Sequence, residues 1–123
     1  MDLTEVELFK NVLEIKSGTL HIDLHNDFTC INLDHIGEDL TLKFQHDKGD
    51  GHVMLQFKKV EVLKMQLPLQ FEGLTLDNFH RGRYELGGKL YDNFNDKKCF
   101  YIEFYEGGAI EMLCSSASME LFW

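Results

Sequence analysis

The amino-acid sequence predicts a mainly β protein: an antiparallel β-sandwich or flattened barrel with a short N-terminal helix. Apolar and polar residues alternate over most of the chain, which is the period of a strand with one face in a core. Glycine-containing or polar turns separate these runs, and the short segments follow one another at regular spacing. About eight or nine such strands favour two packed sheets or a flattened barrel.

The clearest element is a hairpin over residues 98–114. Aromatic and aliphatic residues alternate there with Tyr101, Glu103 and Tyr105, as in a half-buried strand. The turn is Glu106-Gly107-Gly108, because glycine reaches positive φ without a steric clash. The remaining residues of the segment return as the second strand.

The N-terminal segment predicts the short helix. Apolar residues recur there at positions 3, 6, 9 and 13, a helix-like spacing. Thr4 followed by Glu7 fits a capping box. A strand through residues 12–15 is the alternative, because such a short helix must be held by packing rather than by propensity.

The middle of the chain predicts further strands joined by polar loops. Lys58-Lys59 interrupts the alternation, where a β-bulge would fit, and Pro68 predicts an edge or a strand end. Residues 75–82 are the least regular and predict one helical turn or a long loop, whereas a Gly87-Gly88 turn predicts a short hairpin. The alternating segments before Lys58 are residues 19–25, 28–33, 40–45 and 53–57.

Length and composition predict one domain, residues 1–123, long enough to bury a core. Hydrophobic residues make up 44% of the chain, which is typical of a globular protein. The cysteines Cys30, Cys99 and Cys114 form no C-x-x-C pair and predict reduced, buried thiols in a cytoplasmic protein. We expect no secretory signal and no membrane-spanning segment.

The net charge of −9 is the most informative global property. It predicts no binding to nucleic acid or to an anionic membrane, because both depend on basic protein surface. It favours a basic protein as partner instead. The alternative is that the acidity only keeps a small domain soluble.

No motif predicts catalysis or a cofactor, so we expect a protein that is not an enzyme. His21, Asp23 and His25 would share one face of a strand, where a zinc ion could bind. We favour the solvated face of an amphipathic strand as their interpretation. Cys114 and the serines after it lack a nucleophile elbow, and we predict no metal ligand and no catalytic residue.

A partner-binding surface is predicted near the C-terminus, where carboxylates are interleaved with tyrosines. Tyrosine offers a large contact area with a polar tip, and carboxylates steer a basic partner. The alternative is that Tyr101 and Tyr105 pack into a second core layer while the acids only aid solubility. The predicted partner-binding residues are Asp92, Tyr101, Glu103, Tyr105, Glu106, Glu111 and Glu120.

The stretch Phe-Tyr-Ile-Glu-Phe-Tyr-Glu-Gly-Gly-Ala-Ile-Glu-Met-Leu-Cys, on a small acidic chain, resembles bacterial immunity proteins of polymorphic-toxin and contact-dependent growth-inhibition systems. The likeness covers residues 98–114, and the rest of the chain matches in size and strand pattern. The resemblance implies a non-catalytic inhibitor that binds a cognate toxin domain, often a basic nuclease, inside the producing cell. It implies no particular site residues, so the predicted interface depends on charge.

Other classes of function stay open. A β-barrel that binds a small ligand would line a cavity with its Phe and Met side chains. An adaptor domain would bind a partner that is not a toxin, and a metal-dependent enzyme would need the face that carries His21. The oligomeric state is also open, because one exposed edge strand permits a dimer whereas charged edges favour a monomer.

Overall fold

The computed structural model describes residues 1–69, 71 and 73–122, which form strands and turns without a helix. All pairs of these strands are antiparallel, which confirms the mainly β prediction. No helix among these residues has the length and apolar character needed to cross a membrane. The strands are β1 (Glu14–Ser17), β2 (Leu20–Asp23), β3 (Phe28–Ile36), β4 (Asp39–His46), β5 (His52–Lys58), β6 (Glu61–Gln66), β7 (Leu76–Gly82), β8 (Tyr84–Leu86), β9 (Lys89–Tyr91), β10 (Lys98–Phe104), β11 (Ala109–Cys114) and β12 (Ser116–Phe122).

Two four-stranded sheets carry most of the structure. The first sheet has the order β12-β5-β4-β3, and the second sheet has the order β6-β11-β10-β7. Two short hairpins, β1-β2 and β8-β9, complete the described elements. Neither four-stranded sheet is closed into a barrel over these residues, so the predicted flattened barrel is not formed.

Apolar side chains from both sheets meet in one core. The ring centroid of Phe57 in β5 lies 5.9 Å from that of Phe79 in β7 and 5.9 Å from that of Phe100 in β10. Each of these three side chains is at most 1% exposed. The two sheets therefore face each other across a cluster of rings, and buried rings contribute more apolar area than any other side chain.

The chain changes sheet at two places that lie side by side. Between β5 and β6, Lys59 adopts a left-handed φ of 51°. Between β11 and β12, the N–H of Ser115 donates a hydrogen bond to the carbonyl of Lys58 at 2.9 Å. The interruption of the alternation at Lys58-Lys59 thus marks the passage from the first sheet to the second rather than a bulge within one strand.

The predicted N-terminal helix is wrong. The N–H of Leu3 donates to a carbonyl of β12, and the N–H of Val12 donates to a carbonyl of β7. Between them, Phe9 adopts a left-handed φ of 63°, which is incompatible with a continuing helix. A helix of two or three turns has little stability of its own, whereas the edge strands of two sheets offer unpaired backbone groups.

The prediction for residues 75–82 is also wrong, because β7 occupies most of this segment. Arg81 interrupts the alternation of apolar and polar residues that would indicate this strand. It stands opposite Phe100 in register, at an inward-facing position where an apolar residue is expected. The register also shifts between Glu103 and Phe104 of β10, which further disturbs the alternation along β7.

We predict that Phe57→Ala lowers the free energy of unfolding by about 3–5 kcal/mol, because it leaves a cavity between the two sheets. Phe9→Ala is the matched control, since the Phe9 side chain is 58% exposed, and we expect it to cost less than about 1 kcal/mol. Urea denaturation of the two variants measures both values. Equal losses would contradict the placement of Phe57 in a shared core.

Candidate functional site

Three of the predicted interface residues lie together on the outer face of the second sheet. Phe100 and Ile102 of β10 point into the core, so Tyr101 and Glu103 project from the opposite face. In β11, Glu111 stands directly opposite Tyr101 in register. The predicted hairpin therefore brings a tyrosine and a carboxylate side by side on one surface.

The other predicted interface residues lie elsewhere. Tyr105 and Glu106 occupy the turn between β10 and β11, and Asp92 follows β9. Glu120 belongs to β12 of the first sheet, so it does not share a face with Tyr101. The structure thus divides the predicted set among the outer sheet face, the adjoining turns and the other sheet.

An open cavity of about 660 Å³ lies over the outer face of the second sheet. The sheet, the N-terminal segment and the β8-β9 hairpin all contribute side chains to it. We call this cavity the aromatic groove. It is lined by Phe9, His80, Arg83, Tyr84, Glu85, Leu86, Gly87, Leu90, Tyr101 and Glu111.

Tyr101 is the central ring of the aromatic groove. Its ring stacks on the ring of His80, with centroids 5.2 Å apart and planes inclined by 14°. Its hydroxyl donates a hydrogen bond to the carbonyl of Arg83 at 3.3 Å, and burial raises its pKa, so the hydroxyl remains protonated. A Cβ at Gly82 would clash with the Tyr101 ring, so a residue without a side chain is required beneath it.

Phe9 adds an exposed ring from the N-terminal segment. A left-handed φ of 63° is unusual for a bulky residue and costs on the order of 1–3 kcal/mol. The guanidinium carbon of Arg83 lies 5.4 Å from the centroid of this ring. Arg83 also donates through Nε to the Asp92 carboxylate at 2.7 Å, so the contact with Phe9 is made by a paired arginine.

Arg81 positions the segments that border the aromatic groove. It is 8% exposed and donates to the carbonyl of Val6 through Nη1 and to the carbonyl of Asp92 through Nη2, both at 3.3 Å. Its Nη1 also lies 3.8 Å from a carboxylate oxygen of Glu5. Nε is buried without a hydrogen-bond partner among the described residues, and leaving such an atom unpaired costs free energy.

The charges in the aromatic groove are mainly negative. Glu85 and Glu111 contribute carboxylates, and neither forms an ion pair within the described part of the chain. Arg83, the cationic side chain among the described lining residues, is balanced by Asp92. Lys64 of β6 stands opposite Glu111 in register, but the two form no ion pair in the described part of the chain. Both glutamates of the lining can therefore accept an incoming cation.

Glu106 has a local structural role. Its two carboxylate oxygens accept hydrogen bonds from the N–H and the hydroxyl of Thr75, each at 2.6 Å. Burial alone would raise the pKa of Glu106, but these bonds outweigh it and hold the pKa below its ordinary value. The carboxylate thus fixes the turn after β10 to the segment before β7.

The residues considered for metal binding do not form one cluster. His21 lies 3.1 Å from the Glu14 carboxylate, whereas His25 bonds the carbonyl of Leu76 at 2.7 Å. Asp23 accepts hydrogen bonds from the backbone of His25 and from Asn26. No group of three His, Cys, Asp or Glu side chains suited to a metal ion occurs among the residues that the structure describes.

The three cysteines are buried, as predicted. Burial raises the pKa of the Cys99 thiol to about 11 and that of Cys114 to about 12. Cys30 is likewise raised to about 12 by burial. The thiols therefore stay protonated at neutral pH and are weak nucleophiles.

Sequence analysis missed three rings of the aromatic groove: Phe9, His80 and Tyr84. The apolar spacing places Phe9 on the predicted N-terminal helix, and His80 lies in the segment that is predicted to be irregular. Tyr84 precedes the predicted Gly87-Gly88 turn. An aromatic residue beside a tight hairpin is the one sequence signal that could have indicated that Tyr84 belongs to a site. Their convergence depends on contacts between segments that are distant in the sequence.

We predict that Arg81→Ala lowers the free energy of unfolding by about 1–3 kcal/mol, because carbonyls of the N-terminal segment and of the turn after β9 lose their donor. Arg83→Ala is the control, since its ion pair is 42% exposed on the arginine side, and such pairs contribute less than about 1 kcal/mol. Urea denaturation compares the two variants. A loss for Arg81→Ala no larger than that for Arg83→Ala would contradict the positioning role.

The imidazole of His80 should titrate below its ordinary pKa of 6.5, because burial disfavours the charged form while the nearby Glu103 partly offsets this effect. The unfolded chain then binds the proton more readily, so this group lowers stability as pH falls below about 6.5. Glu103→Gln should lower the pKa of His80 further, as measured by NMR titration of its ring protons. Glu38→Gln, in the β3–β4 turn, should leave it unchanged, and an unchanged pKa in Glu103→Gln would contradict the coupling.

Comparisons with known proteins assign no family to the chain. No family model matches it, and no curated protein matches it significantly. The function of the aromatic groove must therefore be inferred from its own residues.

Proposed function

We propose that this protein is a non-catalytic, cytoplasmic protein-binding domain that neutralises a basic partner protein, in the manner of an immunity protein that covers the active site of its cognate toxin. One observation carries the proposal. Tyr101 and Glu111, both predicted as interface residues, stand opposite each other in register and line an open aromatic groove. Aromatic side chains dominate binding energy at protein interfaces.

The net charge of −9 supports a basic partner. Opposite net charges steer two proteins together and raise the association rate, more strongly at low ionic strength. Glu103 and Glu111 add carboxylates beside the Tyr101 ring on the outer face of the second sheet. The basic active-site surface of a partner would therefore be attracted by the negative charge of the whole chain and by the carboxylates of Glu103 and Glu111.

The scaffold suits binding by a preformed surface. The face lies on paired strands of one sheet of the proposed β-sandwich, and the rings shared by the two sheets support it from behind. Sites carried on regular elements keep their geometry better than sites carried on loops. Little backbone rearrangement is then needed to cover a partner.

A small ligand enclosed in a barrel has less support. Neither four-stranded sheet is closed into a barrel over the described residues, and the rings of Phe57, Phe79 and Phe100 contact one another between the two sheets. The aromatic groove, by contrast, is open to solvent and lies over a sheet face. These features favour a protein surface as the occupant.

Charge reversal of Glu103 and Glu111 together tests the proposal. We expect the tagged protein to capture a basic partner from extracts of its source organism, and we expect high salt to weaken the complex. With the purified partner, Glu103→Lys/Glu111→Lys should reduce the association rate constant by about tenfold or more.

The matched control is Asp34→Lys/Glu38→Lys, which makes the same change of net charge on the first sheet and its β3–β4 turn. It should reduce the rate much less, because the altered charges lie away from the proposed face. Equal effects of the two double variants, or unchanged binding by the first, would remove this face from the proposal. Inhibition of the captured partner's activity by the unmodified protein completes the test.

A further inference from the structure

We propose that the aromatic groove binds an arginine side chain of the partner protein, with the guanidinium against the aromatic rings and paired with the carboxylate of Glu111. This inference rests on the proposed function and names the chemical group that the same site recognises. It follows from the rings, the charges and an arginine contact already present in the groove.

The rings offer surfaces on which a planar cation can lie. Tyr101 and His80 are stacked with nearly parallel planes, and Phe9 and Tyr84 also line the cavity. A guanidinium is attracted to aromatic faces, and the attraction is stronger where water is partly excluded. A cavity of about 660 Å³ has ample room for one such side chain.

The contact between Arg83 and Phe9 is an internal example of this recognition. The guanidinium carbon lies 5.4 Å from the ring centroid, within the range of a cation–π interaction. The same guanidinium is bonded to the Asp92 carboxylate at 2.7 Å. A ring and a carboxylate thus already contact one arginine at the border of the groove.

Charge complementarity favours a cation in the part of the groove that Arg83 does not occupy. Glu111 is half-buried and stands opposite Tyr101, and Glu85 adds a second carboxylate. Asp92 balances Arg83, and Lys64, which stands opposite Glu111 in register, forms no ion pair with it among the described residues, so the two lining carboxylates can pair with a cation. Arginine fits better than lysine, because its planar group can bond a carboxylate through two N–H donors and is less strongly hydrated.

The border of the groove favours an arginine within a polypeptide over a free small cation. Leu86 and Leu90 of the β8-β9 hairpin are exposed beside it. These apolar side chains would contact residues that flank the arginine. A free guanidinium would leave them uncovered.

The test uses the full chain and a pentapeptide, acetyl-Gly-Gly-Arg-Gly-Gly-amide, followed by amide NMR shifts of the labelled protein. We expect shift changes concentrated at residues 9, 80–90, 101 and 111. The same peptide with citrulline, which keeps the shape but lacks the charge, should bind at least about tenfold more weakly, and the lysine peptide should also bind more weakly. Glu111→Gln should weaken the arginine peptide about fivefold or more, whereas Glu38→Gln should not.

Equal binding of the arginine and citrulline peptides, shifts spread over the acidic surface of both sheets, or no shifts at all would overturn the inference. The unmodified protein alone decides these outcomes, so they do not depend on the folding of a variant. If a basic partner is captured but the arginine peptide leaves the groove unperturbed, the inference fails while the proposed function stands. If the peptide binds as expected but no partner is inhibited, the proposed function fails.

Discussion

The buried guanidinium of Arg81 is the contact on which the candidate site depends. From an inward-facing position of β7, it donates to the carbonyls of Val6 and Asp92. It thereby connects the N-terminal segment, which carries Phe9, to the turn after β9, which carries Asp92, the ion-pair partner of Arg83. A buried arginine needs acceptors to offset its desolvation. The two bordering segments supply acceptors for Nη1 and Nη2, whereas Nε has none among the described residues. These hydrogen bonds hold the two segments beside β7.

The N-terminal segment links the fold to the site. Its backbone bonds to both β12 and β7, so it pairs with an edge strand of each sheet. Covering edges in this way protects a β protein from pairing with other chains. It also places the exposed ring of Phe9 beside His80, with ring centroids 6.2 Å apart. Edge protection and groove formation thus come from the same residues.

The β10-β11 hairpin was predictable because two local signals agree there: strict alternation and a Gly-Gly turn with positive φ at both glycines. The register that pairs Tyr101 with Glu111 follows from them. The prediction of an N-terminal helix is wrong because the spacing of apolar residues over a short segment does not indicate whether that segment pairs with the edge strand of a sheet. The strand β7 was missed because Arg81 occupies an inward position. The groove itself was not predictable, since its rings converge only through long-range contacts.

We propose that a basic partner covers the outer face of the second sheet and the aromatic groove. Hydrogen–deuterium exchange of the chain, alone and in complex with its captured partner, reports which surface the partner covers. We expect slower exchange in the complex at residues 5–10, in the β8-β9 hairpin and along the second sheet, with β3 and β4 unchanged. Protection confined to β3 and β4 of the first sheet would contradict it.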